Sequence, residues 1–228
     1  MIDWSAMSAV KSRNEFSGAI VPAPWTLTGS GLILIYASRD TESALPNFLE
    51  NSKQLPVKIL MLVNYNDSGV GPYREVLYMP GAFFWKKKLC GHISKILVDT
   101  ESSVSSGIFN WGIPKELAKI KSSEDSSKIS YEAVMPNKSS LFAIIEKGEA
   151  EFPVSNSFFP LSILQESDGI VLETKITAKG RARLAKLSHL ETSLQGLPQS
   201  IADNPRLVLE IPEFEMVFPV PEIHGYSG

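Results

Sequence analysis

The sequence predicts a mainly β (α+β) domain of the sandwich or barrel type, and three observations lead there. Apolar alternation and β-branched runs recur along the chain at short spacing. Turn material such as Asn66-Asp67-Ser68-Gly69, Pro80-Gly81 and Asp168-Gly169 separates them, and helical patterning is scarce. At 228 residues, 43% hydrophobic and 21% charged, the composition is that of a globular protein able to bury a core. One domain over residues 1–228 is the simplest division, because no internal repeat or long low-complexity linker breaks the chain.

The strand segments follow in order as LILIYASR (32–39), VKILMLVNY (57–65), YREVLYM (73–79), HISKILVD (92–99), LFAIIEKG (141–148), IVLETKITA (170–178) and LVLEIPEFEMVF (207–218). Each couples β-branched or aromatic residues with period-two alternation or an unbroken apolar run. Two helices are expected. Thr41 to Asn51 is one; Thr100 to Trp111 is the stronger, with Val104, Ile108 and Trp111 at helical spacing and Gly112 placed to end it. Lys86-Lys87-Lys88 reads as a solvated turn between strands, and Ser122 to Ser127 as a polar loop.

Several function classes find no support. A formal net charge of −3 and a pI near 5.7 argue against a dedicated nucleic-acid binder. No apolar run approaches a membrane span, and MIDWSAMSAVKSRNEF lacks the basic start and apolar stretch of a secretory signal. Cys90 is the single cysteine, which suits a reducing compartment, so a cytoplasmic protein is expected. The three histidines, His92, His189 and His224, are far apart in the chain, and Cys90-Gly91-His92 offers only two soft ligands, so no metal is expected. GVGPYR (69–74) begins like a dinucleotide loop but has Arg74 where a third glycine belongs, and no P-loop or nucleophile elbow is present.

Two residues stand out. Alternation in YREVLYM puts Tyr73, Glu75, Leu77 and Met79 on one face and Arg74, Val76 and Tyr78 on the other. Burying Arg74 is the costlier choice, so Glu75 is expected inside, as a carboxyl that must find a partner or hold its proton. The stretch WGIPKELA (111–118) poses the second question. Proline at a first helical position makes Lys115 an ordinary solvated residue at a helix start. The alternative is a lysine kept dry so that it can shed its proton.

VNYNDSGVGPYRE (63–75) followed by VDTESSVSSGIFNWGIPKELA (98–118) resembles the acetoacetate decarboxylase family. That family places a glutamate after a G-x-G-x-Y-type turn, and an imine-forming lysine directly after a proline that follows a glycine-centred helix. VPAPWTLTGSGLILIY (21–36), GRARLAKLSHL (180–190) and FPVPE (218–222) agree more loosely, so the resemblance spans most of the chain. It implies an antiparallel, closed, cone-like β-barrel with a few short helices, assembled as a homo-oligomer, with a small keto acid as substrate and no cofactor. It also implies that Lys115 and Glu75 are catalytic. Tyr73, Trp111, Ile113, Pro114 and Glu116 would line the substrate pocket. The sequence departs from the family at three positions: Glu116 replaces a second lysine, Gly29 an arginine and Leu60 a second acidic residue.

Attack on a carbonyl needs the Lys115 amine without its proton, and burial is the one influence large enough to achieve that near neutral pH. A helix N-terminus contributes less. Trp111, Ile113, Pro114 and Leu117 are the expected apolar surround, and Glu116, as a chain neighbour, need not share the face of Lys115. Three activities fit the resemblance: decarboxylation of a β-keto acid, an aldolase–dehydratase reaction of a pyruvate-like keto acid through the same imine, and binding of a small ligand without turnover. Lys175, Lys179, Arg181 and Arg183 form a basic strip, expected as a solvated outer face rather than an anchor for a carboxylate.

Overall fold

The computed structural model describes residues 18–37, 45–157 and 162–225. In chain order the strands are β1 (Trp25–Ala37), β2 (Lys53–Leu55), β3 (Val57–Asp67), β4 (Tyr73–Met79), β5 (Ala82–Trp85), β6 (Lys88–Gly91), β7 (Lys95–Val98), β8 (Lys115–Leu117) and β9 (Lys119–Glu124). They continue as β10 (Lys128–Val134), β11 (Ser140–Glu146), β12 (Glu151–Ser155), β13 (Ser162–Ser167), β14 (Ile170–Lys175), β15 (Thr177–Thr192), β16 (Leu207–Phe218) and β17 (Glu222–Gly225). The single α-helix among the described residues, α1, spans Glu101–Trp111 between β7 and β8. No helix among the described residues is long and apolar enough to cross a membrane.

An eleven-stranded sheet runs β8-β7-β4-β3-β1-β16-β15-β11-β10-β9, with β12 also on β15; a six-stranded sheet runs β17-β14-β13-β6-β5-β2. Pairing in the large sheet is antiparallel except between β7 and β8. The large sheet wraps round one core, because Leu32, Leu62, Tyr78, Leu97, Ile129, Ala143 and Val208, from seven of its strands, share a single apolar cluster. Tyr131 of β10 shows how far the wrapping goes. Its hydroxyl reaches across to the backbone oxygens of Val63 (2.8 Å) and Glu75 (3.2 Å) on β3 and β4. The end strands β8 and β9 are joined through Ala118 and share no ladder among the described residues.

A second core lies on the opposite face of the same strands, where Trp25, Leu27, Val63, Tyr65, Tyr73, Ile96, Val98, Trp111 and Ile113 pack together. Strand β4 is therefore buried on both faces, with Val76 and Tyr78 in the first core and Tyr73, Leu77 and Met79 in the second. Only Arg74 on this strand is exposed, and it pairs with Asp99 at 3.2 Å. Choosing between two faces was thus a false alternative beyond Arg74; both are dry. Strand β1 spans the same two cores. Its burial passes from odd residues (Trp25, Leu27) to even ones (Leu32, Leu34, Tyr36) across Gly29-Ser30-Gly31, where the ladders slip register.

Helix α1 forms where expected. Thr100 caps its start, its side chain accepting from the Ser103 N–H at 3.4 Å, and Gly112 ends it in the left-handed region at φ 64°. It buries serines rather than an apolar stripe. Ser105 and Ser106 accept from the Gly18 and Val21 N–H groups, and Asn110 bonds both Ala23 N–H and Val21 C=O, so one helix face secures residues 18–23. A 3-10 turn, Asn47–Leu49, lies within the other expected helix, of which Thr41 to Ala44 fall outside the described residues. The strand expected over 32–39 begins earlier, at Trp25, and its last two residues also fall outside them. Lys86 and Lys87 do form a turn between strands, both at positive φ, whereas Ser122 to Glu124 belong to β9 and only the residues after them turn.

Cys90 is fully buried in a third cluster with Phe48, Leu49, Phe83, Leu164 and Val171. Burial, and secondarily the charge of Glu173, push its thiol up to about 11. Iodoacetamide at pH 8 should therefore leave the folded protein unmodified while labelling the guanidinium-unfolded chain fully; mass spectrometry of the intact protein reads both.

Candidate active site

The two residues singled out in the sequence meet. The Lys115 Nζ atom lies 2.9 Å from Glu75 Oε2, and both side chains are only 4% exposed. Lys115 Nζ also donates to Ser103 Oγ at 3.0 Å and to the Tyr73 hydroxyl oxygen at 3.3 Å. A primary ammonium has three N–H donors, and here each has an acceptor. The face of the Tyr73 ring lies beneath it, 4.9 Å from centroid to nitrogen.

Local chemistry explains why this lysine is aimed inward. It does not start a helix; it starts strand β8, and the helix-start reading fails. After α1 stops at Gly112, the Lys115 N–H donates to the Ile113 oxygen at 2.8 Å, closing a three-residue turn with Pro114 at its centre. Proline's fixed φ matches what such a turn demands. The reversal sends the Lys115 side chain back along the helix it has just left. Its stem crosses the helix at Gly107, where a Cβ would stand 2.6 Å from Lys115 Cδ and 2.7 Å from Cε. The amine thereby reaches Ser103 in the first turn of α1, the positive end of the helix. A helix terminus does face this lysine, but it is the far end of the preceding helix.

Glu75 is held from its other side as well. Tyr65, opposite Tyr73 in the β3–β4 ladder, donates its hydroxyl to Glu75 Oε1 at 3.1 Å, and the two tyrosine rings stack tilted with centroids 4.5 Å apart. Burial first, and the nearby Glu75 carboxylate second, hold both phenols well above their ordinary range, so each stays protonated at neutral pH. Val63, the ladder partner of Glu75, and Tyr65 also line an apolar cavity of about 380 Å³.

The remaining expectations divide. Tyr73 touches the amine, and Trp111 and Ile113 are buried in the core around it. Pro114 is exposed and acts through the turn rather than as a pocket wall. Glu116 is not in the pocket either: its side chain is 46% exposed and bonds Lys95 Nζ at 2.6 Å, as strand alternation requires once Lys115 points inward. Leu117 is 41% exposed and is not part of the apolar surround. Leu60 faces the first core, away from the amine. Gly29 has no room for an arginine on this backbone, since a Cβ there would lie 2.1 Å from the Asn64 oxygen.

The basic strip is an outer face. Lys175 pairs with Glu222, Lys179 with Glu215 at 3.2 Å, and Arg181 and Arg183 with Glu151, Arg183 also reaching Glu210 at 3.1 Å. One grouping of metal-ligating side chains occurs among the described residues, Glu173, Glu222 and His224. Its carboxylates are already taken by Ser162, Lys88 and Lys175.

Sequence reasoning missed three contributors. Tyr65 had a signal, since folding 63–75 symmetrically about its turn pairs Tyr65 with Tyr73 and Val63 with Glu75. Ser103 and Gly107 had none. Nothing in ESSVSSGIFNW says which of its small residues will face a lysine that follows in the chain.

A family model described as acetoacetate decarboxylase matches residues 10–169. No curated protein sequence matches the chain. Among solved structures, acetoacetate decarboxylase from Legionella pneumophila subsp. pneumophila str. Philadelphia 1 superposes with a TM-score of 0.68 at 20% identity, covering 90% of this chain and 88% of the other. A second acetoacetate decarboxylase gives 0.72 at 15% identity over 99% and 98%. The enduracididine biosynthesis enzyme MppR gives 0.65 at 13% over 91% and 90%. At such identities these likenesses speak for the fold.

Gly107→Ala should separate position from folding. The added methyl must displace the Lys115 stem, while alanine raises helix propensity by about 1 kcal/mol. If Lys115 forms an imine, its trapping with acetoacetate and borohydride should fall at least about tenfold, as expected when a reacting group is shifted by a fraction of an ångström or more. The unfolding midpoint in urea should stay close to that of the unmodified chain.

Proposed function

The chain belongs to the acetoacetate decarboxylase family, and on that footing we propose that it is a Schiff-base-forming lyase that decarboxylates a β-keto acid through Lys115. The observation that carries the reading is the buried pair of Lys115 and Glu75 at 2.9 Å. A structural salt bridge could occupy this place, but replacing a buried ion pair by apolar residues is often neutral or stabilising, so burial of these charges calls for another reason.

The chemistry follows from the contacts. Lys115 passes a proton to Glu75 Oε2, the carboxylate oxygen it already bonds, and the freed lone pair attacks the ketone carbonyl. The carbinolamine takes up one proton from solvent and loses water to give a protonated imine. The bond between the α-carbon and the carboxylate breaks, its electrons flow toward the iminium nitrogen, and CO₂ leaves with an enamine behind. Glu75, now protonated, is placed to return its proton to the enamine carbon. Hydrolysis releases the ketone and restores the amine. Net, one keto-acid anion and one proton give one ketone and CO₂. Tyr65 fixes the Glu75 carboxylate, and Ser103 and Tyr73 hold the amine in place between turns of the cycle.

An aldolase–dehydratase shares every step up to the imine, and one observation favours weighing it. No arginine fits at Gly29 to hold the carboxylate that a decarboxylase of the usual family pattern grips there. Carbon dioxide release from acetoacetate, set against condensation of pyruvate with an aldehyde, distinguishes the two.

Incubation with acetoacetate and borohydride should add the mass of a reduced adduct at Lys115 in a peptide digest. An unmodified Lys115 would sink the imine chemistry. Glu75→Gln keeps shape while removing the base, and should slow adduct formation by about 10²- to 10⁴-fold.

A further inference from the structure

Tyr65, which bonds Glu75 through its hydroxyl, also lines a cavity, and that cavity is apolar. The cavity of about 380 Å³ is walled by Met61, Val63, Tyr65, Ile211, Phe214 and Met216. Its few polar side chains are all engaged. Tyr65 bonds Glu75, Ser155 bonds Ser157 Oγ at 2.9 Å, Asn156 bonds the backbone of Ile176 and Ala178, and Lys179 pairs with Glu215. Among the described residues of this wall the one cation, Lys179, is already paired, so the lining offers chiefly apolar surface. The site also lacks an arginine at Gly29. At the roughly 30 Å³ that a water takes in the liquid, the cavity holds about thirteen non-hydrogen atoms, more than acetoacetate contains in all.

We propose, resting on the imine reading, that the carbonyl compound Lys115 takes carries an apolar tail, aliphatic or aromatic, which the cavity behind Tyr65 receives. Affinity comes from burying that tail, and the reacting carbonyl is fixed by being tethered to it. Tyr65 stands between the two halves of the site, with its hydroxyl on the reacting side and its ring on the tail side. Pockets of this size in other proteins follow the same pattern of apolar walls with few placed polar groups.

Two series on the unmodified chain test this. The first is a set of β-keto acids from acetoacetate to 3-oxodecanoate, plus benzoylacetate, read by kcat/KM for CO₂ release and by the borohydride adduct at Lys115. Each added methylene should raise kcat/KM roughly fourfold until the cavity is full. The second is the matching series of 2-alkanols, which have no carbonyl and form no imine, with binding read by thermal shift. Their affinity should climb with the same slope. Met216→Trp, which fills the cavity, should flatten both slopes. An adduct that forms equally well at every chain length, with no slope among the alkanols, overturns the tail site and leaves the imine intact. A slope among the alkanols with no adduct from any keto acid overturns the imine and, with it, the proposal that the tail belongs to a substrate of Lys115. Flat results in both series overturn both.

Discussion

The site depends on a lysine and a glutamate held together away from water. Taking either charge out of water alone costs several kcal/mol, and their attraction offsets this only when the remaining donors and acceptors are also satisfied. Here they are: Ser103 and Tyr73 complete the amine, and Tyr65 takes the second carboxylate oxygen. Each of these partners comes from a different structural element, so the pair fixes β3, β4, α1 and β8 against one another. The fold in turn keeps the pair dry with two apolar cores, one on either face of β4.

The geometry also explains how a proton can move within so enclosed a site. A carboxylate bonded to the amine on one oxygen and to a phenol on the other can accept a proton from the first without losing its anchor to the second. Burial keeps both tyrosines protonated, so Tyr65 remains a donor throughout and does not compete as a base. Glu116, which replaces a lysine of the family pattern, sits on the wet side of β8 and engages Lys95. Its charge is screened by solvent and by its partner, so it leaves the chemistry of its neighbour alone.

Much of this was legible in the sequence, and the limits are physical. β4 and β16 were expected with their observed bounds, because each is long and its alternation or apolar run is plain. Short strands such as Lys53–Leu55, Lys88–Gly91 and Lys115–Leu117 carry too few residues for any period to register. The end of β9, Ser122 to Glu124, reads as a loop because it belongs to an edge strand and is polar throughout. Lys115 and Glu75 were singled out by motif, and the fold brings them together. Their surroundings were misjudged at Pro114, Glu116 and Leu117, which were expected around a dry amine and lie outside it. The tight turn leaves Pro114 exposed, and the alternation of β8 turns Glu116 to solvent. The serines of α1 could not be assigned because hydrogen bonds to residues 18–23, distant in sequence, decide which face is buried.

The tight reversal at Pro114 has an evolutionary corollary. Between the left-handed glycine and the lysine stand two residues, and they act as a ruler. Lengthening or shortening that interval by one would exchange the faces of Lys115 and Glu116, presenting an acid to the interior and the amine to bulk solvent. Descendants of this chain are therefore free to swap letters in the segment but not to change its count, if the amine is to stay buried beside Glu75.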